Sequence, residues 1–278
     1  MGAHVELPVE RRRVDVEWHA FAAGAKPAVR LALAPGDADE VASRYAELGA
    51  STARTATITF QGAPAVLVYA ARTADDAEAL RDLEARILAR APDRHALMRE
   101  LGRRLGYPPC CAAAFVARSR RDTSWRRLLF GRTVDTFQAA RDGWVAKPRP
   151  RLDDLLRREG RALVSFQPCR YDCEHALEVA DRIAEVVRGV DAGWLAWVEG
   201  ELARPIAVAA NGARAFVDLD EEPVRRIVRA TAPVDPGGRS LAPDVDLARR
   251  LAGRSVGERG RIGGLGARAP VVLLDFRR

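Results

Sequence analysis

The first 90 residues contain two kinds of hydrophobic pattern. Some segments are short apolar runs typical of strands, and others have apolar residues at the spacing typical of helices. Val41, Tyr45 and Leu48, for example, recur on one face of a helix that follows Asp37 and ends at Gly49. An antiparallel sheet with helices on one face would satisfy the resulting order. The predicted strands cover residues 14–18, 29–34, 55–60 and 64–71, and the second helix runs from residue 73 to about residue 92.

Residues 93–160 have a mainly helical pattern. Leu97, Leu101 and Leu105 share one helical face, and Gly106 is the predicted end of that helix. A rigid elbow, Tyr107-Pro108-Pro109, then precedes a new helix that begins near Cys110. The proline-rich stretch 146–150 is the best candidate for a linker.

The remainder of the chain combines strands with one strongly amphipathic helix. A buried strand is predicted at 162–166, a helix after Cys173, a hairpin at 205–219 around Asn211-Gly212, and a closing strand at 271–276. The fold class predicted from these patterns is α+β. A sandwich-like α/β unit (1–92) is followed by a central helical segment and a C-terminal α/β part with a β-hairpin, which together form a second domain (93–278).

Composition narrows the class of protein. Of the 278 residues, 48% are hydrophobic and 30% are charged, which fits a globular chain with a full core. No apolar run is long enough to span a membrane, and no secretory signal is evident at the N-terminus, so a cytoplasmic protein without a membrane partner is expected. The net charge of +7 raises nucleic acid as a partner. Only two of the 45 basic residues are lysines, however, a skew that indicates coding bias more than phosphate binding.

The four cysteines are the most informative residues in the chain. They form two short motifs, the adjacent pair Cys110-Cys111 and the pair Cys169 and Cys173, and no other cysteine occurs. In a chain without a secretory signal, clustered cysteines indicate metal ligands or redox thiols before structural disulfides. A proline precedes each motif and a helix is predicted to begin at each, so the free N–H groups of a helix N-terminus should stabilise thiolates there.

The spacing of the motifs favours an iron–sulfur cluster over a single ion. Zinc sites commonly use Cys-x2–4-Cys, which Cys169 and Cys173 match, whereas adjacent cysteines are expected to point in divergent directions. A [4Fe–4S] cluster is larger, offers a separate iron to each thiolate and needs four cysteines, so it is the preferred cofactor. Zinc or copper(I), redox-active thiols or disulfides, and unligated structural cysteines remain alternatives.

The two motifs also resemble a known pair. Gly-Tyr-Pro-x-Cys-Cys-x-x-x-Phe at residues 106–115 and Pro-Cys-x-x-x-Cys at residues 168–173 are similar to motifs that occur together in an uncharacterised family of bacterial and archaeal proteins. The match covers about 20 of the 278 residues. It implies that the motifs act as a pair and implies no particular activity.

Three residues near the second motif are candidate catalytic groups: Arg170, Tyr171 and His175. They could contact an anionic small-molecule substrate or donate hydrogen bonds to sulfur. The leading hypothesis is therefore a cytoplasmic iron–sulfur enzyme of redox or sulfur-related chemistry, with a redox partner. The alternative is a nucleic-acid-binding or interaction protein in which a four-cysteine zinc site is structural and the arginine-rich region 118–127 is the contact surface.

Overall fold

The computed structural model describes residues 14–60, 63–121, 149–152, 161–209, 213–220, 226–233, 242–256, 262 and 271–274. These residues fall into two compact units. The first runs from Asp15 to Thr123, and the second contains the described residues from 149 onward. Both units combine helices with antiparallel sheets, which confirms the predicted α+β class. No helix within the described ranges is long and apolar enough to cross a membrane.

The first unit consists of a four-stranded sheet and five α-helices among its described residues. Its elements in chain order are α1 (Val16–Ala22), β1 (Ala28–Leu33), a 3-10 turn (Pro35–Asp37), α2 (Ala38–Glu47), β2 (Ser51–Arg54), β3 (Ile58–Phe60), β4 (Ala63–Ala71), α3 (Ala74–Leu88), α4 (Arg94–Arg104) and α5 (Pro109–Arg121).

Strand β4 organises the first sheet because every other strand of that sheet pairs with it in antiparallel fashion. The predicted pairing of 55–60 with 64–71 is confirmed in β3 and β4, whereas β2 was not predicted because its sequence, Ser-Thr-Ala-Arg, is polar. Strands β2 and β3 follow one edge of β4 with an irregularity between them. There the hydroxyl of Thr55 accepts a hydrogen bond from the backbone N–H of Leu67 (3.1 Å), which satisfies a donor that the ladder would leave open.

The two faces of β4 pack against different helices. Leu67, Tyr69 and Ala71 belong to one core cluster with Leu80 of α3. The alternate residues of β4 face clusters that contain residues of α1 and α2. The prediction of helices on one face of the sheet is therefore wrong. Strand β4 reads Ala-Val-Leu-Val-Tyr-Ala-Ala over residues 65–71 without alternation, which is the pattern of a strand covered on both faces.

Residues 14–18 begin a helix, which corrects the strand predicted there. Asp15 caps α1 by accepting a hydrogen bond from the backbone N–H of Trp18 (3.1 Å). Val16, Ala20 and Phe21 are buried, at the spacing of one helical face. This short segment has too few apolar residues for the sequence to distinguish the period of a helix from that of a strand.

The second unit contains a second antiparallel sheet, with strand order β7-β6-β5-β8. Its described elements are a 3-10 turn (Pro150–Leu152), α6 (Glu174–Leu202), β5 (Ile206–Ala209), β6 (Arg214–Asp220), β7 (Arg226–Thr231), α7 (Ala242–Leu251) and β8 (Val271–Leu274). The predicted hairpin and closing strand are confirmed as β5, β6 and β8. The turn residues Asn211-Gly212, most of the proposed linker 146–150 and the region 122–127 lie outside the described residues.

Residues 163–166 are buried, as predicted, but the stretch 162–166 does not form a strand. Leu163 and Val164 are almost fully buried, and their backbone follows bends rather than a ladder. A short apolar run specifies burial, and it specifies a strand only where another strand is available for pairing.

Helix α6 turns back on itself at Asp191, whose backbone is non-helical (φ −154°, ψ 92°). The guanidinium of Arg151 contacts both Asp181 (2.6 Å) and Glu199 (2.6 Å). In a straight helix, residues so far apart in sequence would be separated by about 27 Å, so one side chain could not reach both. Asp191 also accepts a hydrogen bond from the N–H of Trp194 (2.8 Å) and thereby caps the returning part.

We expect Arg151→Met to lower the free energy of unfolding by about 1–2 kcal/mol, because it leaves two partly buried carboxylates without their shared cation. Arg188→Met is the matched control: Arg188 lies on α6, the helix that carries Asp181 and Glu199, and it pairs only with the exposed Glu185 among the ion pairs of the described residues. Its expected cost is below about 0.5 kcal/mol. Denaturant unfolding of both variants measures the difference, and equal costs would contradict a bridging role for Arg151.

Candidate metal centre

The first cysteine motif forms the first turn of α5. Pro109 is the first residue of that helix, a position that suits proline because the N–H it lacks would have no partner within the helix. Cys110 and Cys111 follow, and their Sγ atoms are 3.9 Å apart. The expectation that adjacent cysteines diverge is therefore wrong here. Both sulfurs can serve the same small group.

Close packing between α4 and α5 holds this turn in place. A Cβ on Gly102 of α4 would lie 3.2 Å from the Cβ of Ala112 and 3.4 Å from the Cδ2 of Tyr107, so glycine permits the approach. Gly106 lies in the short connection between α4 and α5 and has a positive φ of 77°. A Cβ on this residue would lie only 2.7 Å from the Cδ of Pro27. Two glycines thus set the path of the chain into the motif.

The second motif lies in the loop that enters α6. Cys173 is the N-cap residue of that helix, so the predicted cap, Asp172, lies one residue too early. The backbone N–H of Cys173 donates to the carbonyl of Arg170 (3.3 Å), which closes a turn within the motif. The carbonyl of Tyr171 accepts a hydrogen bond from the N–H of Arg149 (2.7 Å). As predicted, this motif also lies at a helix N-terminus.

An ion pair spans the interior of the second motif. The guanidinium of Arg170 binds both carboxylate oxygens of Asp172, at 2.8 and 2.6 Å. The pKa of the Asp172 carboxyl is lowered, and the hydrogen bond from Arg170 is the largest cause of this shift. The pKa of Arg170 is raised, first by its hydrogen bond to Asp172 and by smaller amounts by the nearby thiols of Cys169 and Cys173.

The four cysteines cluster. The Sγ atoms of Cys110, Cys111, Cys169 and Cys173 all lie within 4.8 Å of one another. None of the four forms a disulfide; Cys111 and Cys173 are buried, whereas Cys110 and Cys169 are partly exposed. Sulfur ligands at this separation are compatible with a metal site, and they are the donors that soft and borderline ions prefer. The structure thus brings the two motifs together, as predicted, and the resulting cluster is compatible with a metal site.

The three predicted catalytic residues differ in accessibility. Arg170 and His175 are exposed, and Tyr171 is buried at 6% exposure. Arg170 is already engaged with Asp172, so it could bind a substrate only in addition to that carboxylate or in place of it. The substrate roles of Arg170, Tyr171 and His175 remain predictions.

A cavity near the second motif was not predicted from sequence. Its volume is about 390 Å³, and it lies between the 3-10 turn and the two parts of α6. Among its lining residues are Arg149, which bonds the carbonyl of Tyr171, and Leu177, one turn beyond Cys173. The cavity depends on the reversal of α6 at Asp191, and no local pattern signals that reversal.

Comparison with known proteins gave no match to this chain among protein-family models, curated proteins or solved structures. The chemistry of the cysteine cluster must therefore be interpreted from the cluster itself.

Gly106→Ala should destabilise the protein by more than the ordinary strain of alanine at positive φ, because the new Cβ would overlap Pro27. Gly49→Ala is the matched control, since Gly49 has a similar φ (+74°) and open space around its Cβ position. We expect Gly106→Ala to cost at least about 1 kcal/mol more than the control in denaturant unfolding. Equal costs would show that the approach to Pro27 relaxes freely.

Arg170→Gln should raise the pKa of Asp172, because it removes the hydrogen bond and charge that favour the ionised carboxylate. Carbon-detected NMR titration of the side-chain carboxyls measures this change. Arg188→Gln is the control: it should raise the pKa of its own partner Glu185, which Arg188 lowers, and leave Asp172 unchanged. An unchanged Asp172 in Arg170→Gln would exclude the ion pair in solution.

Proposed function

We propose that this chain is a metal-thiolate protein in which Cys110, Cys111, Cys169 and Cys173 together bind one tetrahedral ion, with zinc as the best-fitting metal. The observation that carries the proposal is the separation of the sulfurs, all within 4.8 Å. Four thiolates around zinc, each with a bond of about 2.3 Å, place their sulfurs about 3.8 Å apart. The Cys110–Cys111 separation of 3.9 Å is already close to that value.

The local environment of each motif also favours this proposal. A four-thiolate zinc site has a net charge of −2, which needs hydrogen-bond donors around the sulfurs. Cys110 and Cys111 lie in the first turn of α5, and Cys173 occupies the N-cap position of α6. The N–H groups of a helix N-terminus and the helix dipole favour negative charge there. The guanidinium of Arg170, although paired with Asp172, lies close enough to the second motif for the thiols of Cys169 and Cys173 to raise its pKa further.

A site with four protein thiolates is closed, so its main effect is on folding rather than on catalysis. Structural zinc sites have four protein ligands, whereas catalytic sites keep one position for water or substrate. Because the unfolded chain offers no preformed site, the binding free energy of the ion stabilises the folded state. On this proposal the ion maintains the arrangement of the two motifs.

A second candidate is the iron–sulfur enzyme expected from the sequence. Its supporting observations are the full complement of four thiols, the partial exposure of Cys110 and Cys169, which would allow electron exchange with a redox partner, and the nearby cavity. If one of the four cysteines is not a ligand, the open iron of a [4Fe–4S] cluster would bind an anionic substrate, and Arg170, Tyr171 and His175 would contact that substrate. The thiolates of such a cluster bind separate irons, so the sulfurs would have to move apart.

Metal analysis of anaerobically purified, reduced protein separates the two candidates. We expect colourless protein with one zinc per chain, and cobalt substitution should give the absorption of a tetrahedral thiolate site. Brown protein with iron and acid-labile sulfide in equal amounts would instead establish the cluster. Protein without any bound metal would refute both candidates.

Single substitutions test whether all four thiols belong to one site. Cys111→Ser and Cys169→Ser should each weaken zinc binding by at least about tenfold and lower the melting temperature of the zinc-loaded protein. Ala112→Ser is the control, because it adds a hydroxyl at the next buried position of the same helix and should leave zinc binding unchanged. If Cys169→Ser kept full affinity, the two motifs could not share one ion.

A further inference from the structure

The four thiols differ in how easily a small oxidant can reach them. Cys110 in the first motif and Cys169 in the second are partly exposed, whereas Cys111 and Cys173 are buried. Each motif therefore has one more exposed and one less exposed cysteine, and the difference is larger in the first motif, where Cys111 is only 1% exposed, than in the second, where Cys173 is 8% exposed. Because all four sulfurs lie within 4.8 Å of one another, an oxidised thiol has a second thiol within reach after a small displacement.

Covalent geometry restricts which thiols can pair. A disulfide usually spans about 4.4–6.8 Å between Cα atoms, whereas adjacent Cα atoms across a trans peptide lie about 3.8 Å apart. Cys110 and Cys111 are adjacent within the first turn of α5, so a bond between them would distort that turn. An oxidised Cys110 must therefore find its partner in the second motif, where Cys169 is the more exposed of the two cysteines.

We propose that the cysteine cluster is a peroxide-sensitive switch, in which oxidation joins Cys110 to Cys169 by a disulfide and releases the bound ion. This inference rests on the proposed metal site and assigns it a mode of regulation. The disulfide removes two of the four ligands. Cys111 and Cys173 alone leave the ion with half of its coordination, and its affinity falls.

The chemistry needs hydrogen peroxide as the only oxidant. The thiolate of Cys110 attacks one peroxide oxygen, so that an S–O bond forms, the O–O bond breaks and hydroxide leaves, which gives a sulfenic acid. The thiolate of Cys169 then attacks that sulfur, forms the S–S bond and displaces a second hydroxide. With two protons taken from solvent, two thiolates and one peroxide yield one disulfide and two waters.

Tryptic digestion identifies which cysteine of the second motif is linked, because an arginine separates the two; the Cys110→Ser and Cys111→Ser variants identify the linked cysteine of the first motif. Cys110 and Cys111 lie together on the peptide 105–118, Cys169 lies on 162–170, and Cys173 lies on 171–182. A Cys110–Cys169 bond links the first peptide to the second. A bond within the second motif links 162–170 to 171–182, and a bond between adjacent cysteines leaves 105–118 unlinked and lighter by two hydrogens.

The experiment treats zinc-loaded protein with one equivalent of hydrogen peroxide in the presence of a chromogenic zinc chelator, followed by alkylation and peptide mapping without reductant. We expect zinc release together with the linked peptides 105–118 and 162–170, and recovery of zinc binding after treatment with dithiothreitol. Cys111→Ser should still form the linked pair, and Cys110→Ser should not. Circular dichroism confirms that both variants are folded.

The outcomes separate this inference from the metal site itself. Reduced protein that binds zinc but retains it after peroxide refutes the switch and leaves the metal site intact. Any other first disulfide, or sulfinic acid without a disulfide, also refutes the switch. Reduced protein that binds no metal refutes the proposed function and with it ion release.

Discussion

Electrostatic repulsion among four closely spaced cysteine sulfurs, once they ionise to thiolates, is the constraint on which the cluster depends. The sulfurs lie within 4.8 Å of one another, and two unit charges about 4 Å apart repel by about 4 kcal/mol at an effective dielectric near 20. Four bare thiolates therefore cannot occupy this arrangement together. A cation that binds the thiolates, protons that neutralise them, or disulfide bonds that consume them would each remove the repulsion. The proposed metal site and the proposed peroxide-sensitive switch would each relieve this repulsion.

The secondary structure could be predicted where the local pattern agrees with the tertiary environment. The helices at Ala38–Glu47 and Ala74–Leu88 and the hairpin of β5 and β6 follow from periodicity and turn residues. Polar β2 could not be predicted, because its place in the sheet depends on pairing with β4 and not on its own composition. The same cause explains residues 162–166, where a strand-like sequence lies in the core without pairing as a strand.

The sequence was sufficient to predict which cysteines belong to the cluster, but not the distances between their sulfur atoms. The restriction of all four cysteines to two short motifs at helix starts was sufficient to nominate Cys110, Cys111, Cys169 and Cys173. The distance between the motifs depends on the tertiary fold and cannot be obtained from spacing along the chain. The preference for a larger cluster rested on divergence of adjacent cysteines, and the 3.9 Å between the sulfurs of Cys110 and Cys111 removes that argument.

The long segment between the motifs explains why an ion and a disulfide could replace each other there. Residues 112–168 separate the two motifs, so either link closes a loop of about 60 residues. In the chain-entropy model, a disulfide that closes such a loop stabilises the folded state by about 4 kcal/mol through its effect on the unfolded chain. A bound ion constrains the same loop only while it is bound, and its contribution depends on its concentration. Exchange of the ion for a Cys110–Cys169 disulfide would thus retain the constraint on the loop, while the reduced, metal-free protein would lose it. The least stable form of this protein should therefore be the one with neither link.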